Sequence, residues 1–339
     1  MSRQTLIPLD DRAGWERALD GLPHAFGHTW ASCRAMHLTT GWPTSLYVWE
    51  DGSSRFACAI AERGGPGTVD VVTPYGFGGF VGTGPEGGLL PQWQEFARAR
   101  GYVCGYLGLN PLFVPPVCRA SGDYGEHNDV HVLALDSGPD RLFARLSGNR
   151  RRQVRAFETA PARLSADRER LAEYFLAGID DFLRSRGAGY ASLLGGRTWR
   201  ALLERDEVFV LGVEEDGSLV AASVFAHTPY CGEYLFGISS PAGRAYSAVL
   251  VWAAALRLAE SGVPRLNLGG GVRRGDGIAA FKERFGGERL PLGALRQVYR
   301  PAAYARLCAA AGRDPGDRTG FFPPYRAPRD GRQATGGAS

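Results

Sequence analysis

Val208–Ala226 reads VFVLGVEEDGSLVAASVFA, and far upstream Ser45–Glu62 reads SLYVWEDGSSRFACAIAE. Each is a pair of apolar runs about an Asp-Gly dipeptide, the composition of a β-hairpin. Val208–Glu214 and Leu219–Ala226 flank Glu215-Asp216-Gly217-Ser218; Ser45–Glu50 and Arg55–Glu62 flank Asp51-Gly52-Ser53-Ser54. The surroundings of the two hairpins match in order. Before the first come short helical stretches at Trp15–Leu19 and Thr29–Leu38, and before the second a helix with its own tryptophan at Trp199–Arg205. After them, strands Val69–Val72 and Tyr234–Ile238 run into bends of small residues at Pro74–Phe80 and Ser239–Gly243. A helix follows in each case, Gln92–Arg100 stopped by Gly101 and Val249–Glu260 closed by Gly262, and then a strand, Val103–Leu109 or Arg265–Leu268. Trp30 and Trp199 stand 169 residues apart, Asp51 and Asp216 165, Gly101 and Gly262 161. Three matches in order with so little drift predict duplication of one α/β unit.

Length and composition agree with that. A chain of 339 residues, 44% hydrophobic, has material for about two domains and a large core. The expected division is a first unit over 1–145, a second over 146–312, and a Pro/Gly/Arg-rich tail over 313–339 that is partly disordered. The basic run Leu146–Arg155 reads as the connection between the units. A net charge of +4 permits an anionic partner without demanding one. Six scattered cysteines without a C-x-x-C pair read as buried thiols of a reducing compartment. The N-terminus lacks the pattern of a signal peptide, and the longest apolar run, Ala248–Leu256, is too short to cross a bilayer. The expectation is a cytoplasmic protein with no membrane span.

The chemistry gathers in Leu266–Gly287, LNLGGGVRRGDGIAAFKERFGG. A short strand breaks into Gly269-Gly270-Gly271; Arg273 and Arg274 follow; Asp276 stands where a helix N-cap belongs. Ile278, Phe281 and Phe285 share one expected helical face. Lys282, at its edge, is the single lysine beside 38 arginines. An ammonium is a compact charge with a movable pKa, which a guanidinium is not, so this position calls for a property Arg lacks.

The tandem layout, the R-x-x-V run at Arg151–Val154 and the G-G-G…F-K-x-x-F-G motif at Gly269–Gly286 resemble the FemXAB family. BioF-like and CelD-like GNAT acetyltransferases look similar too. The resemblance spans about residues 15–310. It implies two tandem GNAT-like units, each a mixed twisted sheet flanked by helices, and an activity that moves an amino acid from aminoacyl-tRNA to an amine. The acceptor would be a natural-product intermediate, as in antibiotic biosynthesis, or a cell-wall precursor. The family's lysine near the reacting ester falls on Lys282 and its acceptor-binding arginine on Arg151. This chain lacks the long helical-hairpin insertion of some cell-wall members, which favours the compact branch.

Residue chemistry extends this set. A fixed cation aimed at the tetrahedral oxyanion of aminolysis lowers the barrier, which gives Lys282 a catalytic role; Asp276 is a cap first and a general base second. Arg273 and Arg274, at glycines before a helix, suit phosphates, as do Arg150 and Arg152. Phe281 and Phe285 offer rings to a terminal adenine, with core packing as the plainer use. Tyr75 and Phe77, expected as exposed aromatics, and Tyr234 sit on the two bends and line the expected acceptor site. No cofactor is expected to stay bound; the donor is charged tRNA, with acyl-CoA as the alternative. CoA-using GNATs carry Q/R-x-x-G-x-G/A at the second bend. Here Ser240-Pro241-Ala242-Gly243-Arg244-Ala245 keeps the glycine and alanine and loses the leading Gln or Arg. A non-catalytic RNA-binding scaffold is the third reading, and DNA is not an expected partner. The pairs His24/His28 and His127/His131 have metal-ligand spacing, but neither lies in H-E-x-x-H, and His127-Asn128-Asp129 reads as loop, so no metal site is expected. No G-x-S-x-G elbow marks a hydrolase.

Overall fold

The structure, a computed structural model, describes residues 2–65, 68–185 and 194–327. It opens with β1 (Arg3–Pro8), α1 (Arg12–Leu19), α2 (Trp30–Thr40) and the strands β2 (Thr44–Asp51), β3 (Ser54–Gly65), β4 (Thr68–Val72) and β5 (Phe80–Thr83). Next come α3 (Leu89–Ala99), β6 (Cys104–Leu109), α4 (Pro116–Arg119), β7 (Tyr124–Ala134), α5 (Pro139–Arg145) and α6 (Gly148–Glu158). Then follow β8 (Arg163–Ser165), α7 (Arg168–Ser185), α8 (Gly196–Leu203), β9 (Val208–Glu215), β10 (Ser218–His227) and β11 (Gly232–Ser239). The chain closes with α9 (Ser247–Glu260), β12 (Arg265–Asn267), α10 (Gly277–Glu283), β13 (Glu288–Val298) and α11 (Pro301–Ala310).

Two compact units result. Unit 1 takes the described residues up to His127 and again from Leu292; unit 2 is Asn128–Pro291. Strand order in unit 1 is β1-β2-β3-β4-β6-β13, with β5 on the stretch of β3 that β4 leaves open. In unit 2 it is β8-β9-β10-β11-β12-β7. The pairing senses correspond one for one. The first three contacts in each unit are antiparallel, β4–β6 and β11–β12 are parallel, and the last strand is antiparallel again. Each parallel step is bridged by a helix, α3 or α9, as a crossover requires. The fold is mixed α/β, two GNAT-like units in tandem.

These boundaries correct the linear division at 145 and 312. β13 follows β12 in sequence, yet it pairs with β6 from Gly293–Leu109 to Val298–Cys104, so the last strand belongs to unit 1. β7 pairs with β12 at Val132–Asn267 and Leu133–Leu266, which places the end of β7 in unit 2. Nor does a free tail begin at 313. Phe322 is buried and stacks on Tyr304, while Tyr325 and Arg326 both hydrogen-bond Asp70, which is fully buried in β4. Residues 328–339 lie outside the described residues.

Other local readings shift for identifiable reasons. The basic run Leu146–Arg155 is not a linker: Ser147 accepts from the Arg150 N–H as an N-cap and starts α6. His127-Asn128-Asp129 is not loop but part of β7, and four residues along a strand separate His127 from His131 by about 13 Å. The hairpin turns differ by one residue in register. Asp216 and Gly217 occupy both central positions of the second turn at φ 50 and 75, the I′ pattern, whereas Asp51 pairs with Ser54 and leaves Gly52-Ser53 between them.

The unit 2 core packs Val251, Ala254, Ala255 and Leu258 of α9 with Leu211, Val213 and Phe225 of β9 and β10. In unit 1, Trp93 of α3 sits edge-on to Tyr47, Phe80 and Tyr299, its indole N–H donating to Gln297 and Tyr299 at 2.9 Å. Full burial of such side chains contributes ~1.5–3 kcal/mol each.

Candidate active site

The site grows from the end of β12. Asn267 is fully buried and its Oδ1 accepts the Gly269 N–H at 2.8 Å, turning the chain out of the strand. Gly269 then takes φ 71, which a side chain would strain. A Cβ on Gly270 would lie 2.2 Å from the Asp129 carbonyl oxygen, and one on Gly271 2.1 Å from Asp276 Oδ1. All three glycines are therefore required, one by conformation and two by close approach.

β7 holds this loop along its length. The His131 N–H donates to the Gly269 carbonyl at 3.2 Å, and the Leu268 N–H donates to the His131 carbonyl at 2.9 Å. Asn128 Nδ2 donates to the Gly271 carbonyl at 2.8 Å. From the far side, Asp276 caps α10: Oδ1 accepts from the N–H groups of Ile278 and Ala279 at 2.9 Å, and Oδ2 from that of Arg273 at 3.0 Å. Burial opposes its ionisation, but these bonds outweigh it and hold the carboxyl below its ordinary range. Filled with backbone donors in this way, Asp276 is a poor proton acceptor and a good cap.

Lys282 reaches back from α10 to donate to the Gly270 carbonyl at 2.5 Å, its ammonium 5.9 Å from the centre of the Tyr234 ring. The ammonium is enclosed although the residue as a whole is only partly buried. Burial lowers its pKa from 10.5 to about 8, against the opposing pull of Asp276. Tyr234 packs beside Phe225 at 5.2 Å; burial raises its pKa, a hydrogen bond with Ser223 opposing. Gly237 leaves room for the phenol, since a Cβ there would lie 2.3 Å from its oxygen. The result is a fixed cation with a near-neutral pKa beside an aromatic wall.

The remaining expected residues divide. Phe281 and Phe285 meet edge to face at 5.4 Å, and the Arg150 guanidinium covers them at 4.3 and 5.2 Å. Arg150 is buried, donates to Gln153 at 2.7 Å, and is no surface contact; Phe285 is buried with it. Ile278, one turn before Phe281 at the start of α10, is exposed. Arg151 is half-buried and donates to the Ala144 carbonyl at 2.8 Å, while Arg152 and Arg273 are exposed. Arg274 is paired with Asp129 at 3.0 Å. Tyr75 and Phe77 belong to unit 1 and are half-buried rather than exposed. Phe77 is seated against Gly27, where a Cβ would lie 2.8 Å from its backbone.

At the second bend, Gly243 is pressed against β10, a Cβ there lying 1.9 Å from the Val220 carbonyl oxygen, and its N–H donates to Ser240 Oγ at 3.1 Å. Tyr246, one turn on, gives its hydroxyl to Glu215 at 2.5 Å. An engaged N–H and a neighbouring carboxylate make a poor pyrophosphate cradle.

Sequence reasoning passed over Asn128, Asn267 and the site role of His131. His131 carried a signal only as half of a metal pair, and the asparagines carried none, because their burial depends on β7 lying beside β12.

No protein-family model matches the sequence, and none of the curated proteins matches it. Solved structures do. FemX superposes with a TM-score of 0.66 at 13% identity, covering 90% of this chain and 99% of its own. A conserved protein of unknown function from Bacteroides thetaiotaomicron gives 0.61 at 12%, covering 88% and 100%. L-PGS from Bacillus licheniformis gives 0.50 at 14%, covering 84% and 92%. At such identities the likeness defines the fold alone: the chain folds as FemX does.

Proposed function

We propose that the protein is an acyltransferase that forms an amide by moving an amino acid from aminoacyl-tRNA to an amine of a small-molecule or peptide acceptor. The observation that carries this is Lys282, the chain's single lysine, enclosed and fixed on the glycine loop of a FemX-like fold. In the reaction the acceptor nitrogen attacks the ester carbonyl. The C–N bond forms, the C–O bond to the ribose breaks, and the ribose oxygen leaves with a proton taken from the attacking nitrogen. Charge builds on the carbonyl oxygen between those events, and the Lys282 ammonium is the group to meet it. Arg152 and Arg273, exposed in unit 2, are the arginines we assign to donor phosphates, and Arg151 and Tyr234 of the same unit are assigned to the acceptor. The occupied bend at Gly243 favours tRNA over CoA as donor. Six cysteines, all free and buried, suit a reducing cytoplasm.

The test is binding of total charged tRNA and, separately, of acetyl-CoA across a salt series. Phosphate contacts release counterions, so tRNA affinity is expected to fall steeply and linearly on a log–log plot. CoA binding without tRNA retention would reverse the choice of donor.

A further inference from the structure

Behind the glycine loop, on the face of α10 that does not carry the phenylalanines, lies a cavity of about 60 Å³. It is lined by Asn128, Asp129, His131, Ala279, Glu283 and Arg289, with Gly275 and Ala280 at its edge. By this measure a water needs about 10–15 Å³, so the space takes about four waters or a short chain end of two or three heavy atoms. All of its walls belong to unit 2.

Three features give it a chemical direction. His131 is 4% exposed, and its Nδ1 is buried without a hydrogen-bond partner among the described residues. Its ring is one wall of the cavity, so a group seated there can complete its bonding. Second, the carboxylates are unequally matched. Asp129 is held by Arg274 at 3.0 Å and lies 3.9 Å from Arg289, whereas Glu283 has no ion-pair partner among the described residues. A cation entering here meets Glu283, the lining carboxylate without an ion pair among the described residues. Third, the backbone of His131 clasps the glycine loop on both sides, at Leu268 and Gly269, one residue from the carbonyl that fixes Lys282.

We infer that this cavity is the subsite for the acceptor's primary ammonium, with Glu283 attracting the cation and the His131 imidazole accepting its proton. The assignment rests on the amide-forming reading for the identity of the reaction, but binding of an ammonium does not. One proton passes from the ammonium to the imidazole, which later releases it to solvent. The amine so formed attacks the ester, and its second proton leaves with the ribose oxygen. The imidazole must be neutral at rest, and its surroundings favour that form: burial lowers its pKa, helped by Lys282 of α10 and Arg289 of β13, while Glu283 of α10 and Asp129 of its own strand oppose.

The experiment uses the full-length protein with ¹⁵N-labelled histidine, the His131 resonance being assigned by its loss in His131→Gln. Methylammonium chloride is titrated against sodium acetate. A saturable shift of the His131 ring signal with methylammonium and none with acetate is expected, with apparent affinity at least ~10-fold weaker in Glu283→Gln. Glu283 is exposed, so that substitution leaves the fold intact. No shift, or an equal shift with acetate, overturns the subsite. The proton-accepting role is read separately from the pH profile of transfer, whose acid limb should vanish in His131→Gln while donor binding is unchanged. A wild-type profile in that variant overturns the role. If methylammonium binds at His131 yet charged tRNA delivers nothing to any amine, the aminoacyl-transfer reading fails and the ammonium subsite stands.

Discussion

Unit 1 and unit 2 are built to one plan, and the segment after the parallel strand is where they part. In unit 1 that segment follows β6 with Asn110-Pro111-Leu112-Phe113-Val114-Pro115 and the single turn of α4. In unit 2 it follows β12 with three glycines, a capped helix and Lys282. Both begin with a buried asparagine whose Oδ1 accepts the N–H two residues on, at Leu112 or Gly269. Asn110 completes its bonding by donating to the Phe77 carbonyl at 3.0 Å; Asn267 Nδ2 has no partner among the described residues. One copy of the device is satisfied and the other is left with polar capacity next to an enclosed ammonium. At this pair of positions the asparagine of unit 1 is fully engaged, and that of unit 2 keeps an unmet donor among the described residues.

The sharpest way to break this comparison is through stability. Asp70 of unit 1 is fully buried, with Arg326 and Tyr325 bonded to it and Arg63 at 3.8 Å. Removing one partner of a buried ion pair costs ~3–5 kcal/mol where nothing else meets the remaining charge, and Arg63 keeps part of that compensation here. Arg326→Ala is therefore expected to lower the denaturation midpoint by a larger margin than Lys282→Ala or Asp276→Asn. If unit 1 is structural, activity per folded molecule should be unchanged, as measured by urea unfolding beside turnover of the folded fraction. Turnover that falls in the folded fraction would place chemistry in unit 1.

Lys282→Ala tests the other half. Loss of a fixed donor to an oxyanion costs ~10²–10³-fold in kcat, or about 3–4 kcal/mol of barrier. The folded state should persist, because the lost interaction is one hydrogen bond to Gly270. Equal kcat in the variant and the parent would leave unit 2 without its catalytic distinction.

How much of this the sequence discloses follows from the range of each interaction. The hairpins, the N-cap at Asp276 and the helix stops at Gly101 and Gly262 are local, written within a few residues, and their reading holds. The unit boundaries are not local. Nothing near Leu292 says that its strand pairs with β6 across more than 180 residues, so a linear division is the natural and mistaken one. Arg150 shows the same limit. In a run of three arginines it looks like surface charge, and only the return of α10 puts Phe281 and Phe285 over it and buries it. The cavity at His131 needs β7 beside β12, a contact no motif encodes.

The smallest expected effect separates the cap from the catalytic cation within unit 2. Lys282 carries a pKa lowered from 10.5 to about 8 by burial. A cation with a lowered folded-state pKa releases its proton in the folded protein first. Between about pH 8 and 10.5 the unfolded chain binds more protons, so the Lys282 contribution to stability rises with pH across that window. Activity that needs the ammonium moves the opposite way and declines above about pH 8. Asp276→Asn keeps a side-chain oxygen for the Ile278 and Ala279 N–H groups but not for that of Arg273, so the cap should weaken by only about 1 kcal/mol. It removes the negative charge that props the lysine up, so the alkaline limb of kcat should move to lower pH with little change in the plateau. A plateau that collapses instead would make Asp276 a participant in proton transfer. A limb that stays in place would show that the titrating group is not Lys282, and the contrast between the two units would then need a different chemical basis.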